Sequence, residues 1–365
     1  MPDARVDAAI AHWAPRFLMG GVDFNDFQRT TARIETWGEW LDVWSANADE
    51  HLALAREAEE AGHSVTAGDA YLRAAVSYHF GKFVWHLDEA RHREATVQSI
   101  AAMYAAHRLL DPTAERIELP FDGAKLVANL RRPPGVERPA LVLIIPGLDS
   151  TKEEFFRNEE VFLRRGMATL SMDGPGQGET GFELDITPAY ERPVAAVLDA
   201  IDGRDDVDLD RVGALGVSMG GYYAPRAAAG EKRIKAVAGI SGPFCFGDHW
   251  DDLPQLTRET FTANSGAADE EAGRARAVEL DLEPVIDSLD QPALMVTGKL
   301  DRLIPWEQTK KIAERAGNGR FVLYEEGTHV ASNVAYKARP LVADWLADQL
   351  GVAGDRAGAA SAATA

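Results

Sequence analysis

Two hydrophobic patterns divide the chain near residue 112. Before that point, apolar residues recur at spacings of three and four positions, and no stretch alternates as a strand would. One such stripe consists of Trp37, Trp40, Leu41 and Trp44. The pair Asp111-Pro112 then closes the region, because the residue before a proline disfavours helical backbone. The pattern predicts that residues 1–112 are helical.

After residue 112 the pattern changes to strands separated by segments of helix length. Residues 116–121 and 125–130 alternate around Asp122-Gly123, which is typical of an antiparallel hairpin. Short apolar runs follow at 140–145, 168–172, 212–217, 234–240, 293–297 and 320–324. Alternating strands and helices indicate a mostly parallel sheet covered by helices on both faces. The predicted fold class is therefore α/β.

The same pattern predicts how the chain is divided into domains. We expect a helical domain over residues 1–112 and a catalytic α/β domain over residues 113–351. The segment 243–289 is longer than an ordinary connection, so we expect it to carry lid helices. The tail 352–365 consists mainly of Ala, Gly, Ser and Thr without periodicity, which predicts disorder.

Composition and charge narrow the classes of function. Apolar residues make up 46% of the 365 residues, and no apolar run approaches the roughly 20 residues of a membrane span. The formal net charge of −20 argues against nucleic acid as a partner. Cys245 is the single cysteine, and the N-terminal segment lacks the basic and apolar stretches of a secretion signal. We expect a cytoplasmic protein that binds neither nucleic acid nor a membrane.

The candidate chemistry begins with the sequence Gly216-Val217-Ser218-Met219-Gly220. It lies between a predicted buried strand and a helix-like stretch, which is the position of a nucleophile elbow. In such a turn small neighbours permit a strained backbone, and the serine faces the positive end of the next helix. We therefore predict that Ser218 is a nucleophile. The alternative is a small-residue turn without a catalytic role, which is common in α/β proteins.

A serine nucleophile needs a base within hydrogen-bond reach and an acid that orients the base. In an elbow fold the acid and the histidine follow the serine in that order. Asp301 comes shortly after the predicted strand 293–297, and His329 alone of the nine histidines follows Asp301. The predicted triad is Ser218, Asp301 and His329. The alternatives are a turn-stabilising aspartate and a surface histidine.

An oxyanion hole needs two backbone N–H groups aimed at the developing negative oxygen. Met219, directly after the nucleophile, supplies one, and Leu148, in the loop after strand 140–145, is the candidate for the other. The segment Asp173–Gly178 lacks the spacing of a phosphate-binding loop and is interpreted as a structural turn. No convincing set of metal ligands is found among the histidines His79, His86 and His92.

The surroundings of Ser218, Asp301 and His329 resemble those of the α/β-hydrolases, as does the turn Asp173–Gly178. The long helical N-terminal region, residues 20–27 and the elbow sequence narrow this resemblance. They are similar to the family of 2,6-dihydroxypseudooxynicotine hydrolases and fermentation-respiration switch esterases, over nearly the whole chain. The resemblance implies an α/β-hydrolase fold with an N-terminal helical cap over the catalytic serine, a homodimer and no cofactor.

The resemblance also implies a reaction on a small molecule. Ser218 would attack the carbonyl of an acyl-aromatic or β-dicarbonyl-like ketone, with the oxyanion held by Leu148 and Met219. His329 would protonate the leaving carbon, and water would release a carboxylic acid from the acyl-enzyme. The nicotine-pathway enzyme has a pocket glutamate in the stretch that corresponds to residues 241–250. That stretch contains no glutamate here, so Asp248 is the nearest acidic candidate, and its alternative role is a solvated loop acid.

Two other functions remain open at this point. Carboxylic-ester hydrolysis uses the same three residues, and nothing in the triad separates it from carbon–carbon cleavage. A regulatory binding protein on a hydrolase scaffold is the third hypothesis, although an intact triad argues against it. The fold alone does not choose between these functions.

Overall fold

The computed structural model describes residues 3–352. Helices fill its N-terminal part, and no strand occurs among residues 3–110. Their bounds are α1 Ala4–Gly20, α2 Phe24–Thr31, α3 Trp40–Glu60, α4 Ser64–Lys82 and α5 Glu89–Leu110. Four tryptophans, each at most 1% exposed, fill the core between these helices: Trp37, Trp40, Trp44 and Trp85. The apolar stripes therefore form the interior of the helical region, as their spacing predicts.

An eight-stranded sheet follows the helical region. The strands are β1 Glu115–Phe121, β2 Ala124–Arg131, β3 Ala140–Ile145, β4 Ala168–Asp173, β5 Asp208–Val217, β6 Ile234–Ile240, β7 Pro292–Gly298 and β8 Asn318–Tyr324. Their spatial order is β1-β2-β4-β3-β5-β6-β7-β8. Only β1 with β2 and β2 with β4 pair antiparallel, and every other neighbouring pair is parallel. The predicted α/β fold with a helical N-terminal region is confirmed.

Helices cover both faces of the sheet. They are α6 Phe156–Leu163, α7 Glu191–Ala200, α8 Gly220–Gly230, α9 Gln255–Asn264, α10 Glu270–Glu279, α11 Trp306–Arg315 and α12 Ala335–Gln349. Residues of α7, α8 and α11 form one hydrophobic cluster with the sheet, and residues of α6 and α12 form another on the opposite face. Because both faces are covered, β3 is apolar along its whole length and β5 is apolar over residues 212–217, rather than alternating.

The segment 243–289, expected to be a lid, contains α9, α10 and two short 3₁₀ helices, Phe246–Asp252 and Ile286–Ser288. Phe246 and Phe261 belong to the same core as α7 and α8, whereas Leu256 belongs to the core of the N-terminal helices. The segment therefore packs between the sheet and the helical region. Its role as a lid stays a prediction.

Contacts from the N-terminal helices reach the loops at the carboxyl ends of the strands. α4 and α5 contact the short helix Lys152–Phe155, and α1 contacts the segment His329–Val334. No helix among residues 3–352 has the length and apolarity that crossing a bilayer requires. Of the tail 352–365, predicted to be disordered, all but Val352 lies outside the described residues.

Candidate active site

Ser218 lies in a sharp turn between β5 and α8. Its φ of +58° is left-handed, a conformation that costs about 1–3 kcal/mol for a residue other than glycine. The turn is held by a 2.8 Å hydrogen bond from the Ser218 N–H to the carbonyl of Ile240. A Cβ atom at Gly216 would lie 1.8 Å from the carbonyl oxygen of Gly220, and one at Gly220 would lie 2.2 Å from that of Ile145. Both glycines are therefore required by the close approach of neighbouring backbone.

The structure brings Ser218, His329 and Asp301 together in one hydrogen-bonded chain. Ser218 Oγ lies 2.9 Å from His329 Nε2. On the other side of the imidazole, Nδ1 lies 2.8 and 3.0 Å from the two carboxylate oxygens of Asp301. These distances allow His329 to accept the serine proton while Asp301 holds the ring in the required orientation.

The Asp301 carboxylate is fully buried. Burial alone would raise its pKa, but His329 and the N–H groups of Leu303 and Ile304 bring the pKa below its ordinary value. Those two N–H groups donate to Oδ1 at 2.9 and 3.0 Å. Asp301 is thus an anion at neutral pH, able to stabilise a positive charge that forms on His329.

Backbone strain is concentrated next to His329. Val330 and Ala331 both have φ of +51°, and Ser241 has φ of +53°. A left-handed β-branched residue is a genuine outlier. The Val330 N–H donates to Ser241 Oγ at 3.1 Å, and the same Oγ lies 3.1 Å from Thr297 Oγ1. These contacts hold the strained loop that brings the imidazole to the serine.

Two backbone N–H groups near Ser218 have no acceptor among the residues that the structure describes. Neither the Met219 N–H nor the Leu148 N–H donates a hydrogen bond within residues 3–352. Met219 precedes α8, and Leu148 lies in the loop after β3. Gly147 permits this loop to approach Ser218, because a Cβ atom there would lie 3.0 Å from both Ser218 Cβ and the carbonyl of Val217.

Gln177 fixes the orientation of the loop that contains Leu148. Its Nε2 donates to the carbonyl oxygens of Pro146 at 2.8 Å and Gly147 at 2.9 Å. In a trans peptide the C=O and N–H groups point in opposite directions, so holding the Gly147 carbonyl also directs the Leu148 N–H. Asn264 holds the next carbonyl, that of Leu148, at 2.9 Å. Side chains thus fix three successive peptide groups of the loop.

The amide of Gln177 is itself held in place. Its Oε1 accepts from the Gly174 N–H at 2.9 Å and from the Tyr190 hydroxyl at 2.8 Å. Tyr190 is fully buried and its ring stacks on Tyr223. The turn Asp173–Gly178, interpreted from the sequence as structural, therefore also positions a candidate oxyanion donor. Sequence reasoning missed this contact, although a lone glutamine in a glycine-rich turn after a strand was visible.

Three carboxylates near this turn surround a lysine. Lys152 Nζ lies 2.7 Å from Glu153 and Glu179 and 2.8 Å from Asp173. Burial alone would lower the pKa of Lys152, but these carboxylates hold it well above its ordinary value. The three carboxylates are close enough to ligate one metal ion. The lysine ammonium already lies among them and balances part of their charge, so they fit a structural ion cluster better than a metal site.

The N-terminal helices contribute side chains to the surroundings of the triad. The ring of His12, on α1, stacks on that of His329 with centroids 6.3 Å apart. Burial, followed by the nearby His329, lowers the pKa of His12 to about 4, so its ring is neutral at pH 7. Arg16, one turn later on α1, pairs with Asp149 at 2.8 Å and with Glu154 at 2.7 and 2.8 Å. Arg16 therefore ties α1 to the residue next to Leu148.

The structure does not bring Asp248, the predicted pocket acid, into the site. Asp248 is exposed, and its carboxylate lies 3.5 Å from Gln308. The adjacent His249 is buried instead, and neither of its ring nitrogens has a hydrogen-bond partner in the described chain. Burial lowers the pKa of His249, although Asp248 and Asp301 oppose this. The 3₁₀ segment kinks at His249, which turns neighbouring side chains in different directions.

A cavity opens beside Ser218, between the sheet and the helices α6 and α12. Gly147, Ser218 and His329 form part of its wall. Apolar side chains from the strands and from both helices form much of the rest, with polar groups from Asn158 and Arg339. Cys245 does not line this cavity, and burial raises the pKa of its thiol to about 11, consistent with a packed residue.

Comparison with known proteins identifies the family. The model of the family described as Esterase FrsA-like matches residues 26–351, which include most of the helical region and the whole sheet. The chain belongs to the FrsA-like esterase family. Within this family the chain is a hydrolase of α/β-hydrolase fold, as the resemblance of its motifs predicts.

Two relatives of this FrsA-like chain cover much of its length. It is 33% identical to 2,6-dihydropseudooxynicotine hydrolase of Paenarthrobacter nicotinovorans over 344 residues, which are 93% of this chain and 92% of that protein. It is 31% identical to the α/β-hydrolase xenA of Xenoacremonium sinensis over 284 residues, 70% of this chain and 67% of that one. The crystal structure of 2,6-dihydroxy-pseudo-oxynicotine hydrolase superposes with a TM-score of 0.85 at 31% identity, covering 92% of this chain and 95% of that one.

Proposed function

We propose that this FrsA-like chain is a serine hydrolase that cleaves a carbon–carbon bond of an acyl-aromatic or β-dicarbonyl-like ketone through an acyl-enzyme. The observation that carries the proposal is the hydrogen-bonded chain from Ser218 through His329 to Asp301, which ends at a cavity. A serine in this arrangement is activated by the adjacent base. No metal or redox group takes part in the proposed steps.

In the first step, His329 Nε2 accepts the proton of Ser218 as its Oγ attacks the carbonyl carbon of the ketone. The carbonyl π electrons move to oxygen, and the N–H groups of Leu148 and Met219 stabilise the resulting oxyanion. Asp301 stabilises the imidazolium that forms. The two N–H groups suit this role because they donate to no other group in the described part of the chain.

In the second step, the oxyanion collapses and the carbon–carbon bond breaks. The electron pair of that bond goes to the leaving carbon, which takes the proton from His329. Such a carbon leaves readily only where an electron-rich ring or a second carbonyl delocalises the pair, and this sets the proposed substrate class. Water, deprotonated by His329, then attacks the acyl-enzyme and releases a carboxylic acid and the free Ser218 hydroxyl.

The preference for a ketone is supported by the relative from Paenarthrobacter nicotinovorans, which matches nearly the whole length of both chains. Carboxylic-ester hydrolysis is the second candidate, and the description of the matching family favours it. The two reactions share every step up to the oxyanion. They differ in the leaving atom, which is carbon in one and oxygen in the other.

A direct comparison of matched substrates tests the proposal. The purified protein is incubated with an aryl ketone that has an ortho-hydroxylated ring, and separately with the aryl ester of the same acyl group, and products are identified by mass spectrometry. We expect a carboxylic acid from both and higher kcat/KM for the ketone. Turnover of the ester alone would replace the proposed reaction by ester hydrolysis.

Covalent labelling tests the nucleophile independently of the substrate. A fluorophosphonate reacts with an activated serine, so we expect one labelled peptide, the one that contains Ser218. Phosphonylation should fail in the variant His329→Ala, which lacks the base. Labelling at another serine, or no labelling of the folded protein, would contradict the assignment of Ser218.

A further inference from the structure

The cavity beside Ser218 contains a positively charged side chain that has no partner among residues 3–352. Arg339 lies on α12 and lines the cavity. Its Nη2 atom is buried, and the side chain makes no hydrogen bond or ion pair within residues 3–352. A guanidinium has five N–H donors and no acceptor, so it can be satisfied only by acceptor oxygens. A buried donor without an acceptor is uncommon in folded proteins and calls for an explanation.

The other charges around the cavity do not supply that acceptor. Arg16 also lines the cavity, but it is held by both Glu154 and Asp149, at 2.7–2.8 Å. Glu154 attracts Arg339 at longer range without forming a salt bridge. Burial lowers the pKa of Arg339 to about 10, which leaves the guanidinium positively charged at neutral pH. Arg16 is thus paired twice, whereas Arg339 contacts no carboxylate in the part of the chain that the structure describes.

Asn158, on α6, adds a second unsatisfied polar group to the same cavity. Its side-chain oxygen is buried and accepts no hydrogen bond in the described chain. Rotation of the amide by 180° would present its NH₂ group in place of that oxygen, so Asn158 can donate to a ligand. Most remaining wall positions are apolar, among them Ile144, Leu215 and Val342. Such a cavity accommodates an alkyl chain that carries one polar group.

We infer that this cavity binds the acyl chain of the substrate and that Arg339 binds a carboxylate at the end of that chain. The inference rests on the proposed function, because it places the acyl carbon at Ser218. A planar carboxylate matches the guanidinium by two parallel hydrogen bonds, and Asn158 can donate a third. The substrate is then a ketone whose acyl part ends in a carboxylate, and hydrolysis yields a dicarboxylic acid.

Three series of p-nitrophenyl esters test this inference through the same acyl-enzyme. Their acyl chains of four to six carbons end in a carboxylate, a carboxamide or a methyl group. We expect wild-type kcat/KM to be highest for the carboxylate, with an advantage of about tenfold or more over the methyl ester of equal length, because a charged hydrogen-bonded pair is the strongest contact available. In Arg339→Met this ratio should fall at least tenfold, and Arg339→Lys should retain part of it.

Arg164→Met is the matched control. Arg164 directly follows α6, its side chain is 79% exposed, and it does not line the cavity. The substitution removes the same charge from the surface, so an unchanged ratio in this variant excludes general attraction of anions by the protein. If Arg339→Met does not fold, Arg339→Lys and competition experiments on the wild type decide, with glutarate expected to inhibit more strongly than the uncharged pentanediamide.

Specific outcomes would overturn the inference. A wild-type ratio near one, equal use of the carboxylate and carboxamide esters, or equal inhibition by glutarate and pentanediamide would each show that no carboxylate is bound. In those cases hydrolysis of the methyl-ended ester with labelling of Ser218 would leave the proposed function standing. Absence of all hydrolysis and of all labelling would instead defeat the proposed function itself.

Discussion

The α/β region and the N-terminal helical region contribute to the candidate site in different ways. The α/β region supplies backbone geometry, in which the turn at Ser218 and the loop at Leu148 are each built within a few residues of a strand end. The helical region supplies side chains from a distance, since Arg16 pairs with residues 133 and 138 positions away along the chain. Locally built features leave a sequence pattern, whereas long-range side-chain contacts leave almost none.

Removing the proposed nucleophile should have the largest effect on activity, because Ser218 lies in the most locally built feature of the α/β region. Ser218→Ala leaves no atom to form the acyl-enzyme, so we expect kcat to fall about 10⁴-fold or more. The melting temperature should change little, since alanine keeps the Cβ and the substitution removes only the hydrogen bond between Ser218 Oγ and His329. Steady-state kinetics and thermal denaturation measure both.

Cys245→Ser is a suitable control for this variant, because it exchanges a small buried side chain outside the cavity. Its kcat should stay within about threefold of wild type. Turnover by Ser218→Ala close to the wild-type rate would show that the reaction uses another nucleophile. The turn at Ser218 would then not be what the α/β region contributes to catalysis.

The second prediction concerns Gln177, which connects the turn Asp173–Gly178 to the loop that contains Leu148. Gln177→Met keeps the length of the side chain but removes the donors to the carbonyls of Pro146 and Gly147. The Leu148 N–H then loses its fixed direction, so we expect kcat to fall about 100-fold, the usual cost of one oxyanion donor. KM should change little, because the contact acts on the transition state rather than on the bound substrate.

Tyr190→Phe sharpens this prediction, since it removes one of the two groups that hold Gln177 while leaving its donors in place. Its kcat should lie between those of wild type and Gln177→Met. Equal kcat for wild type and Gln177→Met would mean that the loop needs no support from the turn. Gln177 would then have a structural role only, as the sequence interpretation had it.

The sequence predicted the strands well where hydrophobicity alone decides them. The predicted runs 140–145 and 234–240 coincide with β3 and β6. β5 instead begins at Asp208, four positions before the predicted start, because its first residues are polar and pair only irregularly with β3. Polar residues at the end of a buried strand give no apolar pattern, so the boundary could not be predicted.

The site was predictable to the extent that it is built locally. Spacing after strands indicated the three residues that the structure brings together at Ser218. It could not indicate whether Asp248 or His249 faces inward, because the kink at His249 breaks the helical repeat. Nor could it indicate His12, Arg16 or Arg339, since these positions depend on how the helices pack against the sheet.

The third prediction acts on the contact between the two regions. Arg16→Met removes the shared partner of the buried Glu154 and the partly buried Asp149. Because Glu154 keeps contacts with Ser150 and His79, we expect a loss of about 3 kcal/mol of unfolding free energy, the lower end of the range for a broken buried ion pair. Because Asp149 adjoins Leu148, we also expect kcat to fall about tenfold. Arg73→Met, a half-exposed position on α4 whose nearest carboxylate is 3.6 Å away, should change unfolding free energy by less than about 1 kcal/mol.

Equal stability of Arg16→Met and Arg73→Met in urea unfolding would contradict this prediction. A loss of stability with unchanged kcat would show that α1 stabilises the fold but does not hold the loop that contains Leu148. The two measurements thus separate the structural contribution of the helical region from its catalytic contribution.

The smallest expected effect is on the pH dependence of stability, at a buried histidine between the two regions. His107, on α5, stacks on Phe156 of α6 with ring centroids 5.2 Å apart. Burial, followed by the nearby Arg131, lowers its pKa from an ordinary 6.5 to about 4. As the pH falls, the unfolded chain binds a proton first, so stability is lost between pH 6.5 and 4. A shift of this size corresponds to at most about 3 kcal/mol.

When the pH is lowered from 7 to 4, the variant His107→Phe should therefore lose up to about 3 kcal/mol less unfolding free energy than wild type. Phenylalanine keeps the stacking on Phe156 and has no proton to bind, so stability at pH 7 should change little. His63→Phe, at an exposed position before α4, serves as the control and should leave the pH dependence close to that of wild type. Unfolding free energy could instead depend on pH in the same way for His107→Phe and wild type. Acid would then destabilise the protein at another buried histidine, for example His12 or His86, whose pKa values burial also lowers to about 4. Protonation of His107 would then not destabilise the contact between α5 and α6. The contact between the two regions that acid weakens would instead lie nearer to Ser218, Asp301 and His329.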